Sequence, residues 1–142
     1  MVELENHIQM VMVGDEEYII KNCSATQQYE IIELFFQYGL DDALYRIAMG
    51  ERELVAAALL GNFSKHATTE EKRKVTAMLL NGCTKVGAEK PISIDDFHNN
   101  MLLYMLLQVE ALKVNFSDFM QFLQSPEEEA PQETAQDKMS PV

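Results

Sequence analysis

Beyond its carboxylates and hydroxyls, this sequence could hold a metal ion or build a nucleophile with three histidines and two cysteines. His7, His66 and His98 are far apart, and none has another histidine or a cysteine four residues away, the spacing that aims two such donors from one helix face. His98 follows Asp95 and Asp96 closely enough for a carboxylate–histidine pair. A solvated histidine on a helix surface accounts for the same pattern more simply. Cys23 and Cys83 form no C-x-x-C pair and are too sparse for a disulfide framework, so a reducing cytoplasm is the default compartment. Each reads as a small apolar core residue. G-x-S-x-G and P-loop patterns are absent, and the six glycines fall where element ends are expected. The expectation is a protein without metal, cofactor or catalytic residues, not an enzyme.

Binding chemistry is more visible. Lys72, Arg73 and Lys74 make the one basic cluster in a chain of net charge -12. They read as a solvated helix face or a docking spot for an acidic partner. Nucleic acid is not expected as a partner, because phosphate binding needs clustered cations. Seven of the nine methionines (Met10, Met12, Met49, Met78, Met101, Met105 and Met120) lie in apolar stretches. Methionine fills core gaps and also suits surfaces that adapt to varied apolar partners.

The elements that must position these groups are mostly helices. The 142 residues suffice for one domain with a tail. I-Q-M-V-M-V at Ile8–Val13 and Y-I-I-K at Tyr18–Lys21, around Gly14-Asp15, predict a small hairpin over about 7–21. Ser24 and Gln27 form a capping box before a helix from about Ala25 to Tyr38. Its apolar arc is centred on Tyr29, Ile32 and Phe36 and widened by Ile31, Leu34, Phe35 and Tyr38. Asp41-Asp42 opens a shorter helix ended by Gly50. The next runs from Glu51 to a stop at Gly61-Asn62, with Ala56, Ala57 and Ala58 permitting close packing. Thr68 and Glu71 cap a helix that ends at Gly82, and Thr84–Pro91 reads as a loop.

Ser93 and Asp96 cap a long helix, about Ile94 to Val114, striped by Phe97, Met101, Tyr104, Met105, Val109 and Leu112. It is apolar nearly all round and should be the central core helix. Asn115 reads as a break before a short helix carrying Phe116, Phe119, Met120 and Leu123. The fold class is therefore mainly α: a compact domain of about five helices over residues 1–124, with the N-terminal hairpin. Residues 125–142, with three prolines and the Glu127–Glu129 run, are expected to form a disordered acidic tail. No apolar run approaches the ~20 residues that span a bilayer. The start M-V-E-L-E-N lacks the features of a signal peptide. No membrane partner is expected.

In that order, the hairpin, S-A-T-Q-Q-Y-E-I-I-E-L, I-S-I-D-D-F before the long apolar helix, E-A-L-K-V-N-F-S-D-F and the Pro/Glu tail resemble the tail assembly chaperones of long-tailed bacteriophages. The segment Ala111–Met120, A-L-K-V-N-F-S-D-F-M, carries most of the likeness. The resemblance implies a small, mostly helical protein of the host cytoplasm. It would coat the apolar tape measure protein and keep it soluble until tube subunits polymerise around it. It also implies a longer form, made by ribosomal frameshifting, that recruits the tail tube protein. Ser125–Val142 would then be the tail of the short form.

Physical chemistry agrees with that role. Many copies of an acidic helical module repel one another and keep a coated chain in solution. Apolar anchors at i, i+3, i+4 and i+7 supply adhesion, and copies lined up on one chain make modest affinities sufficient. The residues expected to contribute to partner binding or self-association are Phe116, Phe119, Met120 and Leu123, with the exposed parts of Met101 and Met105. The competing expectation is an acidic phage-encoded inhibitor, or nucleic-acid mimic, acting on a host protein. It needs carboxylates spaced like phosphates along one face. Here the acids cluster at helix starts and in the tail.

Overall fold

A computed structural model describes residues 2–5 and 8–129, with side chains over 8–121. The chain begins with an antiparallel sheet. Strand β1 is Val2–Glu5, β2 is Ile8–Val13 and β3 is Glu16–Lys21. β2 and β3 pair from Ile8 opposite Lys21 to Val13 opposite Glu16, so Gly14-Asp15 is a two-residue loop. Gly14 has φ of 61°, and Asp15 is not among the residues with positive φ. This is the type II′ pattern, in which glycine takes the first turn position. Strand alternation then sends Val11, Val13, Tyr18 and Ile20 into the core and leaves Met12 and Glu17 outside. His7, at the start of the expected hairpin, lies outside the described residues.

Helix α1 is Ala25–Gln37, α2 is Asp41–Ala48, α3 is Glu53–His66 and α4 is Thr69–Leu80. The capping boxes at Ser24/Gln27 and Thr68/Glu71 are both formed. α3 does not stop at Gly61-Asn62 but continues to His66. Gly61 has no positive φ, so it is an ordinary helical residue rather than a left-handed cap. The loop expected at Thr84–Pro91 opens instead with strand β4, Thr84–Lys85, which pairs with Tyr18 and Ile19. The sheet order is β1-β2-β3-β4. β4 covers part of the outer edge of β3, whose unpaired backbone groups would otherwise face solvent.

The region around residues 92–122 differs most from expectation. The Ser93/Asp96 capping box forms, but it opens only a 3-10 turn, Ile94–Phe97. Asn99, at φ of 62°, redirects the chain before helix α5, Met101–Glu129. Asn115 is not a break. Its Nδ2 donates to Ala111 O at 2.8 Å, one turn back in the same helix. Its Oδ1 accepts from Cys23 N–H at 2.8 Å and from Gln28 Nε2 at 3.0 Å. One amide thus ties α5 to the entry of α1. The helix also extends beyond Gln124 into the segment expected to be tail. Residues 130–142, where the rest of that tail falls, lie outside the described residues.

α5 is the central helix, as its composition implied. It packs against α2, α3, α4 and β2. Leu107, Val109, Ala111, Leu112 and Val114 are all buried, which puts several sides of this segment in the core. Ala56 and Ala57 of α3 are buried as well, whereas Ala58 faces out. Phe35 of α1 stacks on Phe63 of α3, with ring centroids 4.6 Å apart. Gln108 is buried on α5, where its Oε1 accepts from Thr76 Oγ1 of α4 at 3.1 Å. That bond satisfies one oxygen of an otherwise costly buried amide. No helix among the described residues is long and apolar enough to cross a membrane.

Candidate functional site

The six expected partner-binding residues do not form one surface. Phe116 and Met120 are only 1% exposed each and belong to the hydrophobic core. The physical reason is the continuity of α5 through Asn115. With no break, residues 109, 112, 116 and 120 share one helix face, and that face is buried. Neither side chain can be reached by a partner without opening the fold. Met105 is half-buried and packs against the core. Met101 and Phe119 are exposed, at 52% and 39%. They stand eighteen positions apart on one helix, roughly 27 Å at 1.5 Å per residue. The side chain of Leu123 lies outside the described residues.

A more concentrated apolar surface lies on α1. The apolar arc of this helix was expected to centre on Tyr29, Ile32 and Phe36. The structure buries Ile31 and Phe35 instead, and leaves Tyr29 63% and Phe36 48% exposed. Ile32, between them, is half-buried. Both sets have helical spacing, and one helix could not turn both fully into the core. The chain carries a second apolar stripe on a helix whose core side is already filled.

This stripe forms one wall of an open groove of about 950 Å³. Glu70, Glu71 and Lys74 of α4 contribute the other wall. Two side-chain bridges hold the helices together. Lys74 Nζ donates to Glu30 Oε2 at 2.6 Å. That carboxylate raises the Lys74 pKa. The Tyr38 hydroxyl donates to Glu71 Oε1, which also accepts from Thr68 N–H at 2.9 Å. The bond to Tyr38 is the main cause holding the Glu71 carboxyl below its ordinary value, and it raises the tyrosine. Glu71 therefore caps α4 and anchors the end of α1 with one carboxylate.

A second depression, of about 840 Å³, lies between β3, β4 and the start of α5, lined in part by Tyr18, Pro91, Ile92, Phe97 and Leu103. The Phe97 ring lies 5.1 Å from that of Tyr104 and 6.5 Å from that of Tyr18. These rings pin the 3-10 turn against sheet and helix.

The two thiols are placed as packing elements. Cys23 and Cys83 are free thiols, half-buried and buried. Cys23 Sγ donates to Met78 O at 3.2 Å. Burial pushes the two thiols up to about 11 and about 12. His98 is exposed, and His66 Nδ1 lies 2.8 Å from Asn62 O. Among the described residues, no group of three His, Cys, Asp or Glu could hold a metal ion. Of the basic cluster, Lys74 is paired across the groove, Arg73 is exposed and Lys72 is half-buried.

No protein-family model, curated protein or solved structure matches the chain.

Proposed function

We propose that this chain is a non-enzymatic tail assembly chaperone of a long-tailed bacteriophage. It binds the tape measure protein in the host cytoplasm and keeps it soluble while the tail is built. A frameshifted longer form would recruit the tail tube protein. The observation that supports this reading is the large apolar side chains left exposed on helices of a chain with net charge -12. Tyr29, Phe36, Leu54, Met101, Leu102 and Phe119 are all exposed. Such a molecule can hold an apolar polypeptide while its charge keeps the assembly dispersed.

The test is co-expression with the product of a neighbouring very long reading frame. The expected result is that this product moves from the pellet to the soluble fraction and co-purifies with the chaperone. If its solubility is the same with and without this chain, the reading is wrong. The α5 contribution is probed with Met101→Asp plus Phe119→Asp. Both positions are exposed, so the fold should survive, and the double variant should lose part of the solubilising effect. Phe116→Asp does not serve here, because it would place a carboxylate in the core and unfold the protein.

A further inference from the structure

We propose that the groove between α1 and α4 is the docking site for a cationic amphipathic helix of a partner protein. Identifying that partner as a tape measure segment rests on the reading above; the chemistry of the groove does not. Tyr29, Ile32 and Phe36 stand at i, i+3 and i+7 on α1. Tyr29 and Phe36 face outward with Ile32 half-buried between them, while Ile31 and Phe35 fill the core. This is the spacing with which one helix meets the apolar face of another. The flanking walls are acidic. Glu30, Glu33, Glu70 and Glu71 line the groove, with Lys74 as their counter-charge.

The hydrogen bonds determine which of these charges remain available. Glu30 is committed to Lys74, and Glu71 to Tyr38 and Thr68. Glu33 and Glu70 are exposed and make no ion pair among the described residues; Glu70 acts on Lys74 only at longer range. An occupant that buries Tyr29 and Phe36 must pass close to both carboxylates. Lysines or arginines beside its apolar stripe would satisfy them, and an acidic helix would be repelled. A second copy is disfavoured for the same reason, since its α1 would bring Glu30 and Glu33 against these carboxylates.

The experiment uses the full chain, isotopically labelled, and two synthetic helical peptides. Both carry leucines at i, i+3, i+4 and i+7. One is flanked by lysines, the other by glutamates at the same positions. The lysine peptide should bind, with amide shifts concentrated on α1 and α4, and its affinity should fall as salt is raised. Tyr29→Ser plus Phe36→Ser should weaken it by about tenfold or more. Glu33→Lys plus Glu70→Lys should reverse the preference, so that the glutamate peptide binds better. All four positions are exposed or at the groove rim, and unchanged melting temperatures would show that the variants fold. The proposal is overturned if both peptides bind the wild type equally, if neither binds, or if the shifts map elsewhere. It is also overturned if the aromatic variant abolishes a dimer seen by sedimentation, because the occupant would then be a second copy. Should the peptide results hold while Tyr29→Ser plus Phe36→Ser still solubilises the tape measure product, the groove stands and that partner does not. Should co-expression fail outright, the functional reading falls while the peptide result remains.

Discussion

At Asn115 two tendencies oppose each other, and their magnitudes decide the residue's role. Asparagine is a poorer helix former than alanine by about 0.5 kcal/mol, because its short amide competes for backbone bonds. An isolated Asn115→Ala change in a helix should therefore stabilise. Here Oδ1 accepts from the Cys23 backbone and from Gln28, and both bonds are partly buried. Leaving those donors unpaired costs about 1–3 kcal/mol. The bonds outweigh the propensity, so Asn115→Ala is expected to lower stability by about 1–2 kcal/mol. Urea unfolding would show this as a lower midpoint at an unchanged slope. A gain in stability would mean that Asn115 is merely a weak point of the helix. The sequence could not reveal this role, since Cys23 and Gln28 lie 92 and 87 positions away. Local pattern shows that asparagine disfavours a helix interior. It does not show a partner that only the fold supplies.

At the scale of elements, the features carried by short-range chemistry were legible and those set by tertiary packing were not. The Ser24/Gln27 and Thr68/Glu71 boxes and the turn at Gly14 each follow from a few adjacent residues, and each is formed. Gly61 shows the limit. Gly-Asn commonly ends a helix, yet α3 continues because Phe63 lies ahead, stacked on Phe35. A Cβ built on Gly61 meets no other atom within 4 Å, and its φ is not positive. Gly61→Ala should consequently stabilise the protein by about 0.4–1 kcal/mol, by removing freedom from the unfolded chain. A thermal melt would register this as a rise. A fall of comparable size would mean that Gly61 caps α3 after all. The face of α1 was illegible for a different reason. Tyr29–Ile32–Phe36 and Ile31–Phe35 are both sound helical stripes. Only the positions of the neighbouring elements, among them α3 through the Phe35–Phe63 stack, determine which one is covered. Two of the expected site residues were illegible in the same way: Phe116 and Met120 carried the right residue types but lie on the buried face of a helix that does not break.

At the scale of the whole molecule, five acidic groups bias the stability in one direction. Cys23 and Cys83 are pushed up to about 11 and about 12 from an ordinary value of 9.0, mainly by burial. Tyr18 and Tyr104 are raised chiefly by burial, and Tyr38 chiefly by its bond to Glu71. Each group stays neutral in the folded protein at a pH where the unfolded chain releases its proton. A raised folded pKa gives a stabilising contribution that is complete below the unfolded value and is lost as pH climbs through the folded one. Stability should thus hold up to about pH 9 and decline from there towards pH 12. The thiols act first, because their unfolded value is the lowest of the five. General repulsion in a chain already at -12 would also destabilise at high pH, so the decline alone does not identify the thiols. Replacing both thiols separates the two causes. Cys23→Ala plus Cys83→Ala is expected to lower absolute stability through lost packing. It should also make the fall between about pH 9 and pH 10 shallower than in the wild type. Urea midpoints measured across that range would decide it. Parallel curves for the two proteins would show that the thiols contribute nothing to the pH dependence, which then comes from the tyrosines and charge repulsion.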